Sequence, residues 1–426
     1  MELKGKYGSA IIYTDDVEQE AISQIYNMIN NEAFANGKIR IMPDCHSGKG
    51  SVIGFTMELN GRICPSTVGV DIGCGVASWQ LGHESTVGRA FDKLDKVIRR
   101  DVPSGKTIRD EFDYDLAKKI YDSMDNTFFD DFNDFMSAVK TTCKDTHQDY
   151  DYVIRSLGTL GGGNHFIEID RTDNGDLWLT IHSGSRNFGL KVAVFHQDKA
   201  EQSLFAMTRE EFEARVEEIK RTKKGKGIEV AIKALRAEAS KKGKATGLEY
   251  LDSETHNTEY NDYLWDMRVA QIYARLNRRI MAYKILKGHY KIDYFEPVES
   301  VHNYINFEDQ IVRKGAISAH KDERVIIPLN MADGVIIGTG KGNEDWNNSA
   351  PHGAGRRMSR SKAKASIRLE DFQARMKNVW SSTVGKSTLD EAPQAYKKAD
   401  QIIEYLNDTV EIEHRMMPVY NFKASE

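Results

Sequence analysis

Cysteine is scarce in this chain, and none of the spacings would make it structural. Cys45, Cys64, Cys74 and Cys143 are the only four in 426 residues, with no CxxC pair. That argues against a disulfide framework and points to a reducing cytoplasm. No apolar run is long enough to span a bilayer, so no membrane partner is expected. The first twenty residues, MELKGKYGSAIIYTDDVEQE, carry lysines and acids in place of a signal's apolar stretch. Positive charge is not in excess either: 59 Lys and Arg face 64 Asp and Glu, a net charge of −5. A generally basic nucleic-acid binder is thereby disfavoured, although a local basic groove is not. HEXXH and KxDG are missing. VGKST (384–388) resembles the end of a P-loop, but Trp380 stands where its first glycine belongs.

No proline-, glycine- or serine-rich linker divides the chain, and there is no internal repeat. What is there reads as short strands first: SAIIY (9–13), KIRIM (38–42), SVIGFTMEL (51–59) and VASWQL (76–81). Much of 86–140 has helical spacing, and strand signals return at HFIEID (165–170) and LWLTIH (177–182). From about 190 to 288 the pattern is long, charged and helical; 309–338 turns back to β. The end mixes helix, about 369–380 and 393–407, with a strand-like EIEHRMMPVYNF. Strands and helices do not alternate as βαβ units. The expected fold is α+β, one large domain over 1–426 with a mixed β core, flanking helices and a helical insertion at 190–288. Residues 220–244 hold ten Lys or Arg against two Glu. They read as a solvated helical hairpin, with a phosphate-contacting arm as the sharper reading.

Chemistry gathers in six polar runs. VGVDIGCGVA (68–77) sets Asp71 and Cys74 among glycines and aliphatics, where a carboxylate is costly to bury without a partner. The others are MPDCHSGKG (42–50), GTLGGGNHFIE (158–168), IHSGSRNFG (181–189), VHNYI (301–305) and NSAPHGAGRRMSR (348–360). Each of these five places a histidine at a strand end or glycine turn. Singly, each has a plainer reading as a core histidine or a turn. Together, Asp71, Cys74, His165, His182 and His302 offer the ligand types of one or two divalent transition metals. A bound dication would partner the carboxylate and keep the thiol ionised. His256, in HNTE, reads as a surface residue.

With these runs assembled, the chain resembles the RtcB family of RNA ligases from about residue 38 to residue 423. MPDCHSGKG looks like that family's MPDVHxGxG, and VGVDIGCG like its metal turn. GTLGGGNHFIEI and HSGSR are similar to its metal-histidine motifs, and SAPHGAGRRMSR to the segment of its covalent histidine. The resemblance implies joining of RNA 2′,3′-cyclic phosphate or 3′-phosphate ends to 5′-OH ends, with GTP and two Mn²⁺ ions. It implies Asp71, Cys74, His165, His182 and His302 as metal ligands, with Cys74 bridging, and His352 as the guanylated nucleophile. Asn164, Arg186 and Arg356 would hold phosphates, and Asp44 would support the centre. Glu168, Tyr396 and Lys423 would contact the guanine. Where relatives carry IPGSMG this chain has IPLNMADG (327–334), which makes Asn330 the candidate replacement for their serine contacts. Cys45 replaces a common valine, and ASE extends beyond Lys423. A divergent paralogue is implied, acting as a monomer in RNA repair or tRNA splicing. Manganese comes from the resemblance, since thiolate and imidazole suit zinc equally. The reading from another class is a ligation-deficient, metal-dependent RNA phosphodiesterase or an RNA-end-binding factor. Covalent labelling by α-labelled GTP separates the two.

Overall fold

The computed structural model describes residues 1–125, 128–202, 209–239 and 246–424. The first strand signals build a six-stranded sheet in the order Glu2–Lys4, Ser9–Ile12, Ile39–His46, Ile53–Glu58, Ile311–Lys314, Asn303–Ile305. Only Ser9–Ile12 with Ile39–His46 is parallel in it. Side chains alternate across a strand. In Ile39–His46 that sends Ile39, Ile41 and Cys45 into the largest core cluster. Asp44 and His46 take the other parity.

A second, antiparallel sheet has seven strands: Val298–Val301, Gly75–His83, Asp176–Ser183, Phe166–Arg171, Val410–Lys423, Gly334–Gly340, Arg324–Asn330. The same alternation operates here. Ile167, Ile169, Leu177, Leu179 and Ile181 enter one core. Glu168, Asp170, Thr180 and His182 are left for the opposite face, where they too are buried. In this way an apolar strand pattern delivers ionisable groups to an interior wall.

The stretch 190–288 is helical as expected, but its parts differ. The hairpin Arg209–Thr222 and Lys226–Glu238 is mostly exposed. Positions 240–244 of the basic run lie outside the described residues. The helix Asn257–Ile285 is buried along most of its length. Its Tyr263, Met267, Ala270 and Tyr273 belong to the core of the first sheet, and Met281, Ala282 and Ile285 to that of the second. The expected helical region 86–140 resolves into Phe91–Asp101, Tyr114–Asp122 and Phe132–Asp145. The last two restart at aspartate caps, Asp113 accepting from Leu116 N and Asp131 from Asn133 N and Asp134 N. Near the end, the helices shorten to Leu369–Arg375 and Ala399–Leu406. Among the described residues no helix is long and apolar enough to cross a membrane.

Candidate active site

The turn at 68–77 answers why a carboxylate and a thiol sit in an interior. Cys74 N donates to Asp71 O at 3.1 Å, which closes the turn. Gly73 has φ +73°, and a Cβ there would lie 2.9 Å from Gln271 Cα and 3.0 Å from Ala274 Cβ. Only glycine lets this turn rest on the long helix. Around it stand three histidines from the seven-stranded sheet and its loops. His165 Nδ1 donates to Leu160 O at 2.9 Å, and its Nε2 lies 3.0 Å from Asp71 Oδ2 and 3.5 Å from Cys74 Sγ. His182 Nε2 lies 3.3 Å from Cys74 Sγ and 3.3 Å from His302 Nε2.

Two donor groups result, Asp71–Cys74–His165 and Cys74–His182–His302, and in each the ligand atoms lie within 4.8 Å of one another. Cys74 belongs to both. Burial pushes the Cys74 thiol well up, and the Asp71 charge adds to this. Burial also pushes His182 and His302 well down, with neighbouring imidazoles adding to it. For Asp71, burial works upward, but contact with His165 reverses it and holds the carboxyl below its ordinary value. Neutral imidazole lone pairs therefore face each other and a thiol. Among the described residues, His302 Nδ1 is buried without a hydrogen-bond partner. Acceptors converging on acceptors suit a cation between them, so the residues fit one or two divalent ions. A Cβ on Gly184 would lie 2.1 Å from Asp71 Oδ1, so that position keeps room for the carboxylate.

The parity of Ile39–His46 brings Asp44 to His352. Asp44 is fully buried, and its Oδ2 accepts from His352 N at 3.1 Å and Gly353 N at 3.2 Å. The same oxygen is 2.7 Å from His352 Nδ1, off the axis of an aligned hydrogen bond. The ring centroids of His352 and His302 are 5.1 Å apart. His352 lies with His182 and His302 on the wall of a cavity of about 310 Å³, which Asn164, Glu168, Asn330, Arg356, Tyr396 and Lys423 also line. Arg186 is not on that wall: its Nε donates to Thr159 Oγ1 and its Nη2 to Gly105 O.

Glu391 organises one side of the cavity. It accepts from Lys423 Nζ at 2.7 Å, Tyr396 OH at 2.6 Å and Arg356 Nη1 at 3.3 Å, and pairs with Arg360. Burial alone would raise its carboxyl, but Lys423 and Arg360 bring it down to about 2. Glu168, bonded by Asn421, is pushed well up by burial and then by Asp170. Asp170 is itself raised to about 6 by burial. Asn330 uses its side chain on its own turn. Oδ1 accepts from Ala332 N and Asp333 N, both at 3.0 Å, and Nδ2 donates to Asp333 Oδ2 at 2.7 Å.

Sequence reasoning missed His46, Glu391 and Arg360, all on the cavity wall. His46 had a signal: it lies two positions from Asp44, on the same strand face. Its Nδ1 contacts Ser47 O at 2.9 Å, and burial lowers it to about 4. Arg360 ends the polar run NSAPHGAGRRMSR, which is its signal; Glu391 had none, because its role arises only when distant segments meet.

The family model described as "tRNA-splicing ligase RtcB" matches residues 24–424. The chain is 29% identical to "RNA-splicing ligase RtcB" of Escherichia coli (strain K12), covering 96% of this chain and 95% of that protein. It is 27% identical to "tRNA-splicing ligase RtcB" of Nanoarchaeum equitans (strain Kin4-M), covering 86% and 84%. "RNA-splicing ligase RtcB2" of a second E. coli strain, ATCC 25922, is 25% identical over 93% of this chain and 89% of its own length.

Proposed function

The chain belongs to the RtcB family of RNA ligases, and on that premise we propose that it joins RNA 2′,3′-cyclic phosphate or 3′-phosphate ends to 5′-OH ends through GMP carried on His352. One observation carries the reading. The carboxylate of Asp44 faces Nδ1 of His352, beside a double metal-ligand cluster and on the wall of one cavity. A carboxylate at Nδ1 favours the proton there and leaves Nε2 as the free lone pair.

His352 Nε2 attacks the α-phosphorus of GTP, the bond to the β-phosphate oxygen breaks, and pyrophosphate leaves. A cyclic end is first opened by water to a 3′-phosphate. That phosphate displaces His352 from the guanylate, and the RNA 5′-OH then attacks the activated end and releases GMP. Two Mn²⁺ ions, held by Asp71, Cys74, His165, His182 and His302 with Cys74 shared, would supply phosphate charge neutralisation throughout.

The remaining roles fall to the wall and, off it, to Arg186. Asn164, Arg186 and Arg356 hold phosphate oxygens, the arginines with planar forks. Glu168, Tyr396, Lys423 and Asn330 form the base end. Guanine presents N–H donors at N1 and N2, and these favour the ionised, accepting form of Glu168 that burial opposes in the free protein. Adenine lacks that donor pair. Four free, buried cysteines suit a cytoplasmic setting. We read the chain as one catalytic domain acting as a monomer in RNA repair or tRNA splicing.

Incubation with α-labelled GTP and Mn²⁺ tests this. Wild type becomes covalently labelled with an acid-labile, alkali-stable adduct, as a phosphoramidate requires. His352→Ala takes up no label but still seals RNA supplied with a guanylated 3′-phosphate. Cys74→Ala fails at every step. A wild type that never labels replaces this reading with the phosphodiesterase or end-binding one.

A further inference from the structure

The four ligand-bearing segments come from distant parts of the chain, yet one short piece of the long helix touches all of them. Asn277 is fully buried. Its Oδ1 accepts from Gly158 N at 2.7 Å and Thr159 N at 3.1 Å, contacts that fix which way the amide points. Its Nδ2 donates to Thr159 O at 3.2 Å, Ser183 Oγ at 3.2 Å and Gly184 O at 3.1 Å. Ser183 Oγ in turn donates to Leu160 O at 2.9 Å, the carbonyl that also orients His165 through Nδ1. One side chain therefore sets both the loop of His165 and the strand end of His182.

Arg278, also fully buried, extends the set. Its Nη1 donates to Gly73 O at 2.8 Å and to Ser183 O at 2.7 Å, joining the Asp71–Cys74 turn to the His182 strand. Its Nε donates to Glu299 Oε1 at 2.8 Å. Glu299 lies on the strand Val298–Val301, next to His302, and is gripped by Arg275 and Arg279 as well. His302 N donates to Cys74 O at 2.9 Å, which ties this segment back to the turn.

We propose that Asn277 and Arg278 are positioning residues for the metal centre, a clamp that holds the Asp71–Cys74 turn and the His165, His182 and His302 segments in ligating register. This deepens the metal reading above and rests on it. A guanidinium can donate to three acceptors in fixed directions, which an ammonium on a flexible stem cannot reproduce. Outer partners that orient ligands are commonly worth about 10- to 100-fold in metal affinity.

The test uses the full chain stripped of metal, with Mn²⁺ affinity read by titration calorimetry. Cobalt-substituted protein adds the thiolate-to-cobalt absorption of Cys74. Arg278→Lys and Asn277→Ala are compared with Asp266→Asn, a control on the same helix. Asp266 is buried and accepts from Thr142 Oγ1 at 2.7 Å and contacts His196 Nε2 at 2.8 Å, away from every ligand segment. Arg278→Lys and Asn277→Ala should lose roughly 10- to 100-fold in Mn²⁺ affinity and change the cobalt spectrum. Asp266→Asn should lower the metal-free Tm and leave both metal readouts at parent values. Should Asn277→Ala not fold, Arg278→Lys decides. Parent affinity and spectrum in the folded clamp variants overturn the proposal alone, as does an equal loss in Asp266→Asn. A parent that binds no divalent ion overturns the metal reading and the clamp with it.

Discussion

At the scale of single residues, the sharpest consequence concerns Glu391. Its folded pKa, about 2, lies below the ordinary 4.5. A depressed carboxyl contributes stability above its unfolded pKa and loses it as pH falls through the folded one. Between about pH 4.5 and 2, wild type should therefore lose about 3 kcal/mol more than Glu391→Gln, as read by denaturant titration at a series of pH values. The residues legible in the sequence were those whose neighbours advertise them. Asp71 and Cys74 stand out because glycines and aliphatics surround them, and His165, His182 and His352 because each sits in a glycine-rich turn. Glu391 looks like any acid near a helix. Asn277 lies among helix formers, and nothing local separates it from a solvent-facing polar residue.

Elements tell a similar story. Strand alternation was readable, and with it the separation of Glu168 and His182 from the aliphatic face; that their face is also buried was not, because it depends on what packs against it. The long helix was readable as a helix but not as the piece joining two cores, because burial on all sides blurs its periodicity. The described part of the hairpin is mostly exposed, as both the solvated and the phosphate-contacting readings require. Lys220 pairs with Glu217, whereas Arg221, Lys223, Lys224 and Lys226 have no ion pair among the described residues. Lys226 opens the helix Lys226–Glu238 behind a Gly225 cap that offers no side-chain bond. A cation there opposes the helix dipole. Lys226→Glu should stabilise that helix by about 0.3–1 kcal/mol, seen as slower amide exchange across 228–238. The global Tm should stay the same, because this hairpin is mostly exposed.

For the whole molecule, the proposed metal ligands come from the seven-stranded sheet and its loops, and their turn at Gly73 rests on the helix that links the two cores. Ions bound by such a set stabilise the folded chain by mass action, about 2.7 kcal/mol at a hundred times Kd. Adding Mn²⁺ to metal-free protein should raise a single, cooperative melting transition, monitored together by calorimetry and far-UV circular dichroism. Two separated transitions, only one of which moves, would mean that the cores are independent and that the single-domain reading fails.

The strand Val410–Lys423 pairs with Phe166–Arg171 on one side and Gly334–Gly340 on the other, and it ends by placing Lys423 on the cavity wall. On the ribosome this strand emerges after both of its neighbours. Until it does, two long β edges stand open in the middle of a sheet, each a template for pairing with another nascent chain. A stalled product thus carries Asp71, Cys74, His165, His182 and His302, lacks Lys423 on the cavity wall, and is the form most exposed to aggregation. Translation order makes this strand the one that seals the sheet between Phe166–Arg171 and Gly334–Gly340.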